Sequence, residues 1–243
     1  NQLTYPVRFE SERDYQFVFT NMTTGLAADE VWFNSGYHRD SFLDALGGFL
    51  KRMPDHQPFE AVDEIRGKSK LCFPGVHAVE DVRRVMDGEK VHILWAARWE
   101  HDKGAEDFFA ALKILKQEGV EFKLSVTGEQ FREVPEVFGW AEEYFVDEIE
   151  RWGYQSFEGY KQALGEADVF VSTAGHEFFG ISAVEASIAG CMVVLPKRLA
   201  YPEVFGLGEV EGLEDFFYDG SVKGLVHKLR KIVKSEEYKS DKV

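Results

Sequence analysis

From residue 91 onward the chain alternates short apolar runs with stretches of helical periodicity, and this alternation restricts most narrowly what it can fold into. VHILWA (91–96), FKLSVT (122–127), IERWG (149–153), DVFVS (168–172) and MVVL (192–195) read as strands. Helical spacing fills the intervals at 106–118, 134–146, 157–164 and 181–189. In 106–118, Phe108, Leu112 and Leu115 point inward and Gly119 ends the helix. Strands separated by helices of this length imply an α/β fold with a parallel, doubly wound sheet. A last helix over 221–234 places Val222, Leu225, Val226, Leu229 and Val233 on one face, and 235–243 reads as a frayed tail.

The part before residue 76 also alternates helix and strand, but less regularly. Residues 1–9 are loop-like around Pro6. Residues 12–28 have Tyr15, Phe19, Met22 and Leu26 at helical spacing. DEVWFN (29–34) reads as a strand, and Ser35 caps a helix reaching Leu50. MPDHQP (53–58) is a break, and KLCFP (70–74) is a second strand. Two strands are too few for a stable sheet. The chain starts with Asn rather than Met, so the front of a longer protein is expected to be missing. The expected organisation is a partial first lobe (1–75), a polar linker (76–90), a second Rossmann-like lobe (91–220) and a terminal helix and tail (221–243).

A net charge of −15 disfavours a broad non-specific nucleic-acid surface while leaving room for a local basic patch. Cys72 and Cys191 lie in apolar runs and are expected to be reduced core residues of a cytoplasmic protein. No signal peptide or membrane-length apolar run is present in these residues.

Two stretches carry chemistry. The first, TAGHEFFGISAVE (173–185), leaves a buried strand, passes Gly175 and Gly180, and enters a helix. Glu177 falls in the loop and Glu185 about two turns into the helix. A helix start near Phe179 and Gly180 offers backbone N–H groups to an anion. Carboxylates for hydroxyls beside amides for phosphate suit a nucleotide sugar; a plain strand–helix turn with solvated acids is the alternative. The second stretch, RWEHDK (98–103), follows the strand at 91–96 and lies at the same sheet edge. A guanidinium fork at Arg98 and an ammonium at Lys103 are what a diphosphate needs, unless both are ordinary surface cations.

Together these features resemble the donor lobe of retaining family-4 glycosyltransferases of the GT-B fold. More narrowly, NQLTYP (1–6), FNS (33–35), PDH (54–56), RWEHDK, WGY (152–154), STAGHEFFG (172–180) and YPE (201–203) resemble the tRNA-queuosine mannosyltransferase family. The resemblance runs from residue 1 to about 205. It implies a nucleoside-diphosphate sugar, best GDP-mannose, as donor and queuosine in tRNA as acceptor. On its terms Arg98 and Lys103 hold the diphosphate, and Glu177 takes sugar hydroxyls. Phe179 and Gly180 supply amides and close approach, Phe178 also contacts the donor, and Glu185 binds the ribose. Gly153 and Tyr154 lie against the base, and Gly128 and Glu129 line the pocket floor. Asn1, Gln2 and Tyr5 fall on the acceptor side.

Retaining enzymes of this kind lack an obvious protein nucleophile. The resemblance implies attack by the acceptor hydroxyl from the leaving phosphate's own face, with the phosphate taking the proton. His176 assists or serves as scaffold, while His38 and His56 read as surface or capping residues, and Trp152 as core. No Asp-x-Asp or His/Cys cluster suggests a metal, and no resident cofactor is expected. A GT-B sugar-nucleotide epimerase and a non-catalytic nucleotide-sugar-binding domain remain alternatives. A Rossmann dehydrogenase is set aside, because no G-x-G-x-x-G follows a predicted strand.

Overall fold

The computed structural model describes residues 3–7, 13–76, 90–131 and 133–235, which form two compact units. The first comprises Asn1–Gly75 together with the tetrapeptide His176–Phe179, and the second the rest of the chain. The expected linker and tail fall largely outside the described residues.

In the first unit, helix α1 (Tyr15–Ala27) starts where Asp14 accepts a hydrogen bond from the Gln16 N–H. Strand β1 (Val31–Phe33), helix α2 (Gly36–Leu50), helix α3 (Glu60–Gly67) and strand β2 (Ser69–Leu71) follow. Strands β1 and β2 pair in parallel, with Val31 opposite Ser69. Ser35 caps α2 as expected, its hydroxyl accepting from the His38 N–H. The unit's core gathers Val18, Met22, Phe42, Leu43, Leu46, Leu50 and Ile65.

Three expectations for this unit are corrected. The buried face of α1 runs through Val18, Met22 and Gly25, not through Tyr15 and Phe19. Those two rings instead lie against Phe49, stacked at 5.7 Å and edge-on at 5.3 Å, and remain exposed. Cys72 is exposed, as are Lys70 and Leu71 of β2 before it, so this end of the strand is uncovered; Cys191 is buried as expected, and neither cysteine is in a disulfide. Helix α3, which the break at MPDHQP concealed, supplies Ala61 and Ile65 to the core.

The second unit is a six-stranded parallel sheet: β3 (Val91–Ala96), β4 (Phe122–Thr127), β5 (Ile149–Gly153), β6 (Val169–Val171), β7 (Met192–Pro196) and β8 (Phe217–Tyr218), in spatial order β5-β4-β3-β6-β7-β8. The order reverses between β3 and β6, the position where doubly wound sheets open a crevice for ligands. Every residue of β3 is buried, and alternate residues feed two cores. Ile93 and Trp95 face a cluster with α4 (Ala105–Gln117), α5 (Val137–Tyr144) and α9 (Val222–Ser235); Leu94 and Ala96 face one with α6 (Phe157–Glu166) and α7 (Ile181–Ile188). A strand buried on both faces reads as continuous apolar sequence, which is why VHILWA was legible.

The terminal helix packs Leu225, Val226 and Leu229 into the core with Val222 and Val233 partly buried beside them, as expected, and adds a fully buried Ile232. Short helix α8 (Tyr201–Val204), a 3₁₀ turn at Leu213–Phe216 and edge strand β8 were not foreseen. No helix among the described residues is long and apolar enough to cross a membrane.

An aromatic stack ties this core to the loop that follows β3. Trp99 lies flat on Phe138 (4.0 Å, 5°) and edge-on to Trp152 (5.2 Å), so Trp152 is a packing residue. Phe138 also meets Trp95 and Phe109. Truncating such a ring removes apolar burial and leaves a cavity. Phe138→Ala is expected to cost about 3–5 kcal/mol in urea unfolding of the second unit. A loss within about 0.5 kcal/mol would mean that the stack does not support the unit.

Candidate functional site

The loops leaving β3, β4 and β5 are joined by backbone hydrogen bonds. The Ala97 N–H donates to Thr127 O (3.1 Å), Trp99 N–H to Glu129 O (2.9 Å), and Gly128 N–H to Gly153 O (3.2 Å). Gly128, Glu129 and Gly153 therefore fix the path of segment 97–104 through their backbones, while the Glu129 side chain is exposed. Tyr154, just beyond, is 73% exposed, which leaves its ring open to a planar partner.

Segment 97–104 is joined equally firmly to the loop after β6. Gly175 N–H donates to Asp102 O (2.8 Å) and Thr173 Oγ1–H to Lys103 O (3.0 Å), while Thr173 Oγ1 accepts from Trp95 Nε1–H (3.1 Å). Gly104 has φ +67, and a Cβ there would sit 2.4 Å from Thr173 O, so only glycine permits this approach. The two loops that sequence reasoning singled out thus share one edge of the sheet, at its switch point.

The cations differ in setting. Arg98 is half-exposed and ion-paired to Glu100 at 2.9 Å. Lys103 is only 8% exposed and pairs with Asp102, whose carboxylate is fully buried, at 3.3 Å. Burial removes the reading of Lys103 as an ordinary surface cation: a desolvated ammonium needs a counter-charge.

On the other side of the switch point, Arg198 spans two successive carbonyls, Nε–H to Ala174 O (3.1 Å) and Nη2–H to Thr173 O (3.2 Å). Ser172 Oγ and Tyr201 Oη share a 2.7 Å hydrogen bond, and Tyr218 Oη–H donates to Ser172 O (3.0 Å). Gly180, at φ +91, begins α7 where a Cβ would stand 2.6 Å from Cε1 of Tyr201. The YPE motif therefore supplies a ring against which the loop and helix start are packed. Along α7, Glu185 is held by Tyr160 of α6, whose hydroxyl donates to it at 2.8 Å. Burial, with Glu185 beside it, pushes the Tyr160 phenol far above its ordinary value, so it stays a donor. Neither Arg198 nor Tyr160 was singled out from the sequence, where nothing local distinguishes them from surface residues.

His176–Phe179 groups with the first unit. His176 Nε2 lies 3.4 Å from Thr4 Oγ1, with its ring edge-on to Tyr5 (5.4 Å). Ser35 Oγ–H donates to Phe178 O at 2.7 Å. The Phe178 and Phe179 N–H groups, the second of them expected to face a ligand, donate to Oε1 of Glu177 itself (3.0 and 3.3 Å). A carboxylate one residue away reaches those amides first. Asn1 and Gln2 lie outside the described residues. His38 is not a plain surface residue: its Nδ1 accepts from the Asn34 N–H (3.4 Å) at the start of α2, in line with a capping role, and its ring stacks on Phe178 at 3.8 Å and meets Phe33 edge-on at 5.1 Å, whereas His56 is exposed. Among the described residues no group of three or more His, Cys, Asp or Glu is placed to hold a metal ion.

In chemical terms, the second unit's edge offers a buried ammonium, a guanidinium and a carboxylate with a fixed rotamer, on loops locked to the sheet. Preorganised charge of this kind suits an anionic leaving group with a polyhydroxyl neighbour.

Comparison with known proteins bears on this. Residues 1–76 match the family model described as tRNA-queuosine alpha-mannosyltransferase N-terminal, and residues 80–242 the one described as glycosyl transferases group 1. A tRNA-queuosine alpha-mannosyltransferase of Drosophila melanogaster is 35% identical over 215 residues, 84% of this chain. The chain spans 57% of that relative's length. Among solved structures, sucrose-phosphate synthase from Thermosynechococcus elongatus superposes with a TM-score of 0.69 at 18% identity, covering 97% of this chain and 57% of that one. Anabaena Alr3699/HepE, solved in complex with UDP and glucose, gives 0.64 at 15% identity, covering 92% and 60%. These neighbours share the α/β fold of GT-B glycosyltransferases, as expected from the sequence.

The first unit carries a pH signature. Burial, with His176 nearby, holds the His38 imidazole down at about 4. Between that value and the ordinary 6.5, the unfolded chain takes up a proton that the folded one refuses. The contribution is therefore full above pH 6.5 and is lost as pH falls toward 4. His38→Gln should flatten the fall in melting temperature between pH 7 and 4.5 relative to the unsubstituted protein; parallel curves would show that His38 does not titrate on unfolding.

Proposed function

This chain belongs to the glycosyl transferases group 1 family, and from that membership we propose that it transfers mannose, with retention, from GDP-mannose to queuosine of a tRNA. The observation that carries the reading is the 35% identity to the Drosophila tRNA-queuosine alpha-mannosyltransferase, sustained over 215 residues of this chain. The match of residues 1–76 to the N-terminal model of that same activity supports the acceptor, and the edge of the second unit supports the donor.

On this reading Lys103 and Arg98 hold the donor diphosphate and stabilise the charge that grows on it as the glycosidic bond lengthens. Glu185 accepts from the ribose hydroxyls, in a rotamer fixed by Tyr160. Glu177 takes hydroxyls of the sugar, and Tyr154 presents its exposed ring to the base. The acceptor hydroxyl attacks the anomeric carbon from the face that the phosphate leaves. Its proton passes to the departing phosphate oxygen, so the protein needs to supply no nucleophile. The acidic chain makes a wide phosphate-binding surface unsuitable, which supports recognition at the modified nucleoside rather than along the RNA backbone.

The test is to incubate the protein with GDP-[³H]mannose and queuosine-containing tRNA. Radiolabel should enter RNA and be absent with tRNA lacking queuosine. No label in RNA, with the donor unchanged, would overturn the transferase reading; a new sugar nucleotide formed without acceptor would mark an epimerase.

Site assignments are tested by calorimetry. Lys103→Ala should lower turnover about 10²–10³-fold, the scale of one lost transition-state contact. Glu185→Gln should weaken GDP binding while leaving mannose 1-phosphate unaffected, and Tyr160→Phe should do the same to a smaller degree. Equal losses for both ligands would remove Glu185 from the ribose.

A further inference from the structure

Both cations assigned to the donor diphosphate already hold a carboxylate from their own hexapeptide. Arg98 Nη1 lies 2.9 Å from Glu100 Oε2, and Lys103 Nζ lies 3.3 Å from Asp102 Oδ2. The Asp102 side chain is fully buried and that of Lys103 only 10% exposed, so this pair sits in a dry setting; the Glu100 side chain is 22% exposed. Segment 97–104 is fixed by main-chain bonds to Thr127, Glu129 and Gly175 and by the Thr173 hydroxyl, so the spacing of cation and carboxylate belongs to the fold rather than to a free side-chain encounter.

We propose that Glu100 and Asp102 are built-in counter-ions: they hold Arg98 and Lys103 in place while the site is empty and compete with the incoming diphosphate for the same two cations. This inference rests on the donor reading above and goes beyond it by assigning residues that set affinity and release.

The physical case has two sides. A desolvated ammonium without a partner is costly, so Asp102 allows Lys103 to sit in a preformed loop before any ligand arrives. The same fixed carboxylate stands within a few ångströms of wherever a phosphate on Lys103 must lie, and at low local dielectric that repulsion is not screened. The diphosphate therefore binds a loop whose charge is partly spent. Glu100 acts likewise on Arg98, less strongly because that guanidinium is half-exposed. A nucleoside diphosphate left after transfer is opposed by both carboxylates, which favours its release.

Calorimetry with GDP on the unsubstituted protein, Asp102→Asn, Glu100→Gln, Lys103→Met and the Asp102→Asn/Lys103→Met double variant separates the possibilities. The amide variants should bind GDP about tenfold and a few-fold more tightly, respectively. The gain from Asp102→Asn should vanish when Lys103 is methionine, a coupling that a merely structural Asp102 would not produce. Should Asp102→Asn fail to fold, as a circular-dichroism melt would show, Glu100→Gln with and without Arg98→Met decides the question by the same coupling. GDP binding by the unsubstituted protein, with unchanged or weaker binding in the amide variants, overturns the inference but not the donor reading. Absence of binding to any nucleoside diphosphate overturns both.

Discussion

Everything at the sheet edge of the second unit depends on how segment 97–104 is fastened to 173–175. Trp95 Nε1–H donates to Thr173 Oγ1, whose own proton goes to Lys103 O, and Gly175 N–H goes to Asp102 O. Loops normally pay in entropy for being held, and here two buried bonds of the Thr173 side chain and one main-chain bond do the holding. Gly104 is the steric condition for this, since any larger residue would strike Thr173 O. The fastening converts two segments seventy residues apart in sequence into one rigid rim. A rim of that kind gives a buried lysine a defined position, where a flexible loop would let it escape to solvent.

The architecture of this unit was legible because its inner strands are buried on both faces. β3 and β4 coincide with the apolar runs 91–96 and 122–127, and the edge strand β5, only partly buried, matches 149–153. The first unit was less legible for a physical reason. In α1, Tyr15, Phe17 and Phe19 are exposed alongside a buried Val18, so apolar periodicity could not tell the inward face from a surface decorated with rings. Helix α3 is short and charged, with only Ala61 and Ile65 buried, and its start carries no side-chain cap. Strand β8 is two residues on the sheet edge, too brief to leave a pattern.

The candidate site was legible in its charged members and not in their supports. Arg98, Lys103 and Glu185 stand out as residue types that bind phosphate and hydroxyl. What holds them is a set of contacts between residues distant in sequence: Arg198 on the carbonyls of 173 and 174, Tyr160 on Glu185, Tyr201 on Ser172. Such pairs have no local signature, because the distance that matters is closed only by the fold. The same holds for His38, whose stack on Phe178 joins residues 140 positions apart and whose titration is displaced by burial, with His176 nearby. The amide of Phe179 shows the converse case. Sequence logic offers it to a ligand, yet the nearby Glu177 already satisfies it.

That last detail and the pairs Arg98–Glu100 and Lys103–Asp102 have a common electrostatic sense. A chain with net charge −15 gains nothing from long-range attraction toward an anionic ligand, so any anion must be held by short-range contacts alone. Groups that would draw anions indiscriminately are instead occupied by carboxylates of the chain itself. Inorganic phosphate offers too few contacts to displace them. On the donor reading proposed above, a ligand that also reaches Glu185 and lies on Tyr154 would recover the cost through several contacts made at once. Discrimination then comes from requiring the whole ligand, and the acidity of the surface enforces that requirement rather than opposing it.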